Sequence, residues 1–592
     1  MSELHSFHIP VLGLGYSIDT PAKVARFGIS SVISVMDDEL LEQMRRFYCH
    51  KLKIPFIPIQ ADEHDSRARR ITAYLDLMKD IVAAQIAAMK KLPFEKGNDL
   101  DKYFELLPDR STLKVKYQQM KSLPEGSVKE NLQQELRKQV KAGDIDVNIM
   151  VKVDKVNRDK TGRPLPSDYC DAVAAFRGFA NSDLTSSVVL SAGYNPRLYA
   201  YMETCAELFP DNKGQLKKKI IIKVSDYRSA YVQGKILAKK GIWVSEFRIE
   251  SGLNCGGHAF ATDGILMGPI LEEFKNNRHA LVAELYALCC DAHGRRNIPS
   301  FANPPGLKIT VQGGIGTAAE QDFLHEYYEV DATGWGSPFL LVPEATNVDD
   351  ATLQQLATAQ QQDYFLSDAS PLGVPFNNFR KSSAEKQRQE RADKGRPGSP
   401  CYKKLLVSNT EFTDEPICTA SRQYQHLKIR QLKEQNLPAE LYDKEYNRII
   451  EKDCLCEGLT APALLKEDIP IPHRLKAVSI CPGPNLAYFS GIFSLSDMVD
   501  HIYGRKNLLN SLRRPHMFVN ELNLYIDYLK KAVKDFTPDA KRSKYLLSFR
   551  DNLLSGIGYY KKLAQAFVFS MQNDLCRAEG ELLYINIPAE RA

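Results

Sequence analysis

The stretch LKITVQGGIGTAAEQDFLHEYYEVDATGWGSPF, residues 307–339, decides the fold. Leu307–Gln312 is a short apolar run that breaks at a pair of glycines. Ala318–Tyr328 follows with helical spacing, and Asp331–Gly334 is a second short strand that again ends on glycine. Strand, glycine turn, helix, strand is the pattern of a βα unit. Parallel neighbours cannot be joined by a hairpin and need a crossover, which a helix supplies.

Working outward, the same rhythm recurs. Lys219–Val224 is a continuous apolar run, as expected of a strand buried on both faces. A helix over Tyr227–Lys240, a stop at Gly241, a strand over Ile242–Ile249 and a helix over Leu271–Cys290 lead back to residue 307. Ser186–Ser191 is a strand and Pro196–Leu208 a helix. At the start of the chain, Ile9–Gly15 is an apolar run closed by glycines. Asp19 or Thr20 then caps a helix with Pro21 in its first turn, stopping at Gly28. Ser30–Val35 is the next strand, and Asp37 or Asp38 opens a helix through Tyr48. About eight strands result, the third with no run of its own. The expected fold is α/β: a (β/α)8 barrel with a helical insertion and a largely helical C-terminal extension. The expected divisions are 1–60 for the first βα units, 61–181 for the mainly helical insertion, 182–380 for the remaining barrel, and 381–592 for the C-terminal region, a candidate lid. Residues 380–398 (RKSSAEKQRQERADKGRPG) mark the change of character as a polar, charged run ending in turn residues.

Composition removes several classes of function. Lys and Arg number 78 against 73 Asp and Glu, so a net +5 is spread over 592 residues. That gives no general grip on nucleic acid, and no RNP-like, zinc-knuckle or basic–aromatic pattern appears. Hydrophobic residues make up 44%, enough for a large core. No run approaches the roughly 20 apolar residues of a membrane helix, and Met1–Pro10 lacks the basic flank and apolar core of a secretory leader. A cytoplasmic protein without membrane insertion is expected. The twelve cysteines form no paired CxxC pattern, so no metal site is assigned. Cys454 and Cys456 have the nearest to metal-like spacing, and whether they meet Cys401 and Cys418 in space is left open.

In a barrel of this type chemistry gathers where the strands end. After Ile242–Ile249 comes Glu250-Ser251-Gly252-Leu253-Asn254-Cys255-Gly256-Gly257-His258. The pair Gly256 and Gly257 lets backbone approach a planar or phosphorylated ligand. His258 behind it is a candidate acid–base group, since imidazole exchanges protons near neutral pH. After Leu307–Gln312, Gly313, Gly314 and Gly316 precede a helix, where free amides and the helix N-terminus favour an anion. After Asp331–Gly334 come Gly336 and Ser337. Glycine-rich ends on two consecutive late strands are how such barrels hold a phosphate.

These motifs resemble the flavin-dependent barrels related to nitronate monooxygenase (2-nitropropane dioxygenase), a group that includes flavin-containing enoyl reductases. The shared marks are an early strand before a Thr-Pro helix (Pro10–Gly15, Thr20–Ala25), a Gly-Gly-His after a middle strand (Cys255–His258), and a Gly-Gly-Ile turn (Gly313–Ile315). Further marks are Gly336–Phe339, Ser370–Pro375 and Cys454–Leu459. Cys255 and Ser337 stand where the family has alanine and threonine.

The resemblance implies FMN, its phosphate held by Gly313, Gly314, Gly336 and Ser337, with Gly13 and Gly15 against the ring. It implies Lys223 at the pyrimidine side, or else in a salt bridge inside the barrel mouth. It implies His258 as the base acting on a small carbon acid such as an alkyl nitronate. The alternatives are an NAD(P)H-dependent flavin reductase of unsaturated acyl thioesters, served by an acyl carrier protein, and a non-catalytic binding or scaffold barrel.

Overall fold

Eight parallel strands close into a barrel in the computed structural model: β1 (Phe7–Ile9), β2 (Ser30–Ser34), β3 (Ile145–Ile149), β4 (Ser186–Leu190), β5 (Lys218–Val224), β6 (Val244–Glu250), β7 (Lys308–Gln312) and β8 (Ala332–Gly334). They pair in chain order, and β1 closes on β8 through Phe7↔Thr333 and His8↔Gly334. Helices fill the crossovers, so the chain is a (β/α)8 barrel with added helices. The structure describes residues 4–151, 153–159, 161–191, 193–254, 263–534, 540–567 and 571–587. Among them no helix is long and apolar enough to cross a membrane.

Two strands differ from expectation. β1 is Phe7–Ile9 and not the run Ile9–Gly15. Pro10 has no N–H to give to a ladder and ends the strand. Val11 beyond it packs with Val32, Val189 and Ile221 instead. The third strand, Ile145–Ile149, lies inside the segment expected to be an insertion. Its inward positions are Asp146 and Asn148, so its alternation looks like polar loop when read without the barrel.

Those inward positions belong to a polar half of the barrel interior. Arg248 on β6 donates to Glu246 at 2.8 Å and to Asp146 at 3.4 Å, and Thr310 on β7 donates to Glu246 at 2.6 Å. Burial pushes the Asp146 carboxyl up to about 7, against the pull of Arg248. His8 on β1 is driven down to about 3 by burial and then by Arg248, so it is neutral.

Between β2 and β3 the helices Ser66–Met89, Asp99–Leu106, Thr112–Ser122 and Ser127–Gln139 pack beside the barrel. They are tied by stacked Phe104 and Tyr117 and by a Tyr74 hydroxyl bond to the Ile18 carbonyl. The C-terminal helices Met517–Lys534 and Ala540–Phe567 lie against the barrel helix Met267–Arg296, and Gln572–Tyr584 packs on those two. The Gly268 N–H donates to Tyr560 Oη at 3.0 Å, and Phe518 stacks on Tyr560.

Candidate active site

The two glycine-bearing loops emerge side by side. Gln312 on β7 is in register with Gly334 on β8, so residues 313–317 and 335–337 leave adjacent strands at the same, C-terminal, mouth. Gly313 and Gly314 have φ of +113° and +80°, a backbone that side-chain-bearing residues rarely adopt. A Cβ at Gly313 would lie 2.7 Å from Ser251 Oγ, so this loop also packs tightly on the one following β6.

At the helix that follows, the positive end is already neutralised from within. Thr317 caps Ala318–Glu326, and the Glu320 carboxylate accepts from the Gly316 N–H at 2.9 Å and from the Met517 N–H at 2.7 Å. Arg514 donates to Glu320 at 2.6 Å, to the Gly314 carbonyl at 2.6 Å and to Asn485 at 2.9 Å. Burial would raise the Glu320 carboxyl, but Arg514 outweighs it and holds it below the usual carboxylate range. The amide of Gly316 is therefore committed to Glu320 and is not offered to an anion.

Ser337 differs. It is buried at 5% exposure, yet among the described residues no hydrogen bond reaches its hydroxyl. Gly483 of the C-terminal region faces it. A Cβ there would stand 2.9 Å from Ser337 Oγ and 3.3 Å from the Leu253 carbonyl. Residue 483 therefore packs closely on the loops after β6 and β8, with no room for a side chain. A buried hydroxyl without a partner among the described residues is the kind of group that a phosphate oxygen satisfies.

The floor of the mouth is charged and buried. Lys223 near the end of β5 and Glu250 at the end of β6 form an ion pair of 3.0 Å. The same Glu250 oxygen accepts from Asn254 at 2.6 Å and from the Gln312 amide. Its other oxygen, Oε2, is buried with no partner among the described residues. Gln312 is also 3.4 Å from His8 Nε2. Of the two placements open to Lys223, the structure has the salt bridge.

Gly13 and Gly15 face the chain's own C-terminal region. The Gly15 N–H donates to the Leu459 carbonyl at 2.8 Å, and a Cβ at Gly15 would sit 2.9 Å from the Thr460 carbonyl. A Cβ at Gly13 would lie 3.0 Å from the Tyr16 ring, whose hydroxyl donates to the Ser479 carbonyl. The segments around 455–463 and 479–486 thus roof the mouth. Cys255, Gly256, Gly257 and His258 lie outside the described residues. The chain leads to them from Asn254, buried at the floor.

The structure therefore groups Gly313, Gly314, Gly336, Ser337 and Lys223 at one mouth and places Gly13, Gly15 and Gly316 against protein partners. Sequence reasoning missed Glu250, Asn254, Gly483, Asn485 and Arg514. Cys-Pro-Gly-Pro at 481–484 was a turn signal that could have flagged the roof, but nothing in its composition says which loop it covers.

No family model matches the chain, and no curated protein matches it. Among solved structures, the chain is similar to the enoyl reductase domain of MlnA from the macrolactin biosynthesis cluster of Bacillus amyloliquefaciens, at 14% identity and a TM-score of 0.33, over 74% of this chain and 89% of that one. The barrel rests on strand pairing and not on that likeness.

Proposed function

We propose that the protein is an FMN-dependent oxidoreductase of the nitronate monooxygenase type, acting at the C-terminal mouth of the barrel on a small carbon acid. The observation that carries the reading is the meeting of the two glycine-bearing loops at one mouth, where Ser337 is buried without a hydrogen bond among the described residues beside the left-handed Gly313–Gly314 turn. In this reading Gly313, Gly314, Gly336 and Ser337 hold the phosphate. Gly13, Gly15 and Gly316 are left out of the set, because their contacts are made by Leu459, Thr460 and Glu320.

FMN supplies reversible two-electron chemistry when bound. The rest falls to the chain. Glu250 Oε2 is a buried acceptor with no partner among the described residues, and an N–H or O–H of a polar ligand ring would satisfy it. Lys223 balances the charge of that carboxylate, and the roof of residues 455–463 and 479–486 keeps bulk water from the floor. His258 is assigned as the base that takes the proton next to a nitro group. Its assignment comes from the Gly-Gly-His motif and its place after β6.

The test begins with the visible spectrum of the purified full-length protein and identification of any released chromophore. A yellow protein that consumes oxygen with an alkyl nitronate, and loses that turnover but not its flavin in His258→Ala, supports the reading. Rapid anaerobic bleaching by NAD(P)H, with turnover of an unsaturated acyl thioester instead, moves the activity to enoyl reduction. A colourless protein that does not rebind FMN ends the flavin assignment and leaves a binding barrel.

A further inference from the structure

The helix Asp38–Leu52 begins after β2 at the mouth and runs about 22 Å down the flank of the barrel. From its far end an apolar arm, residues 52–59 (LKIPFIPI), doubles back along it. Leu52, Ile54 and Ile57 of this arm are 47%, 42% and 76% exposed. A single exposed apolar side chain is ordinary, but three so close in sequence mark a contact surface. The arm is tied down from beneath. The Ile54 N–H donates to the Cys49 carbonyl at 3.0 Å, and Arg45 donates to the Ile57 carbonyl at 2.6 Å. The Ile59 N–H donates to Glu42 at 2.8 Å, and Arg70 to the Ile59 carbonyl at 2.9 Å. The Arg45 guanidinium also lies 4.5 Å from the centre of the Phe56 ring. A surface ordered in advance costs a partner little to bind.

At Leu52 the arm opens on a cleft of about 350 Å³ between the helices Thr20–Val24, Asp38–Leu52 and Ser66–Met89. Phe27, Tyr48, Leu52 and Ile81 give it apolar walls. Most of its charges are already paired: Lys23 with Asp19 at 3.2 Å, Arg26 with Asp99 at 2.9 Å, and Glu344 with Lys102 at 2.8 Å. Gln85 Nε2 donates to the Ala22 carbonyl at 2.8 Å, while its Oε1 is buried with no partner among the described residues. The charge left over is mainly positive. Arg46, Lys51 and Lys53 are exposed on and beside the arm, and none has an ion pair among the described residues. Glu467 is the cleft's one carboxylate in the same condition.

We propose that the arm and the cleft beside it dock an acidic amphipathic helix of a partner protein. Its apolar side chains lie on Leu52, Ile54 and Ile57, with one entering the cleft, and its carboxylates face Arg46, Lys51 and Lys53. Charge argues against a second copy of this chain in a two-fold contact. A two-fold axis sets the same patch against itself, which would bring the unpaired Arg46, Lys51 and Lys53 together. The cleft argues against a bilayer. An acyl chain has no N–H or O–H to give to Gln85 Oε1 or to Glu467, whereas a serine, tyrosine or tryptophan side chain of a partner does. The surface is on the flank and not at the mouth, so this inference is independent of the flavin reading.

The experiment uses the full-length protein and a fluorescent helical peptide of about 20 residues, with leucine along one face and glutamate and serine on the other. Binding is read by anisotropy at low and high salt, and the contact is mapped by hydrogen exchange. A control peptide carries lysine in place of every glutamate. The glutamate peptide should bind roughly 10-fold or more tightly than the control, weaken at high salt, and protect amides within residues 44–60 and 81–88. Ile57→Ser, and Lys51→Glu combined with Lys53→Glu, should each weaken binding about 10-fold at an unchanged melting temperature. The exchange map of the wild type needs no variant, so it decides even where a substitution disturbs folding. Absence of binding, equal binding of the two peptides, or protection confined to other residues would overturn the proposal. So would co-sedimentation with phosphatidylserine vesicles that Ile57→Ser abolishes, which assigns the surface to a membrane. A dimer in sedimentation equilibrium that Ile57→Ser disperses would assign it instead to a second copy.

Discussion

Ser337 and Glu250 show how much of the site depends on single polar atoms. A hydrogen bond to a charged group is worth about 1.5–3 kcal/mol, so Ser337→Ala should weaken FMN retention roughly 10- to 100-fold, measured by flavin fluorescence during dialysis. Ser337→Thr keeps the hydroxyl and should retain most of the affinity. The Lys223–Glu250 pair is buried on both sides, at 7% and 1% side-chain exposure. Removing one partner of such a pair costs about 3–5 kcal/mol, because the other charge is stranded. Lys223→Met should therefore lower the denaturation midpoint sharply. The double variant Lys223→Met with Glu250→Gln should recover much of the loss, and a double variant no more stable than the single one would contradict the stranded-charge account. The glycines and Ser337 could be named from the sequence because glycine-rich strand ends stand out there, and the structure brings the two ends to one mouth. Glu250 was not singled out, since a carboxylate at a strand end looks the same whether it faces water or a lysine across the barrel.

At the scale of elements, the strands that the sequence announced are those buried on both faces, such as β5 with its run of three isoleucines. β3 was hidden because Asp146 and Asn148 point into an interior that Arg248 makes polar. β1 was displaced because the apolar run beyond Pro10 packs over the mouth instead of pairing. A comparable hidden link joins the helix Met517–Lys534 to both ends of residues 252–267. Tyr525 Oη accepts from the Gly252 N–H at 3.2 Å, Glu521 accepts from the Met267 N–H at 2.8 Å, and Tyr525 also hydrogen-bonds Glu521. Burial pushes the Glu521 carboxyl up to about 8 against those donors. The folded chain therefore keeps a proton that the unfolded chain releases from about pH 4.5 upward, so this group's contribution to stability falls as pH rises toward 8. Glu521→Gln does not titrate. Its melting temperature should gain on the wild type as pH rises from 5 to about 8.5, and a gap independent of pH would count against a protonated Glu521.

For the whole molecule, the question is whether the C-terminal region is an appendage or part of the barrel's own closure. The contacts favour closure. Gly15 donates to Leu459, Tyr16 to Ser479, Asn485 to the Ile315 carbonyl, and Gly268 to Tyr560. Arg514 joins Glu320 to Asn485 with only 4% of its side chain exposed. Apart from Arg514–Asn485, each of these spans more than a hundred residues of chain, which is why no local pattern revealed them. From these contacts we expect a boundary near residue 380 to divide the sequence order and not the folding. Deleting 381–592 would bare the buried floor around Glu250, leave the Glu320 carboxylate without its cation, and expose the apolar face of the helix Met267–Arg296. We expect residues 1–380 alone to be insoluble or partly folded, judged by circular dichroism and hydrogen exchange, and the full chain to unfold in a single calorimetric transition. Arg514→Ala should act on both parts at once, because Glu320 then keeps its two amide donors but loses its counter-charge. A loss of about 3–5 kcal/mol is expected for such a buried pair, appearing as a downward shift of that single transition. Two separate transitions, with Arg514→Ala moving only one of them, would show instead that the roof folds on its own and rests on a barrel that does not need it.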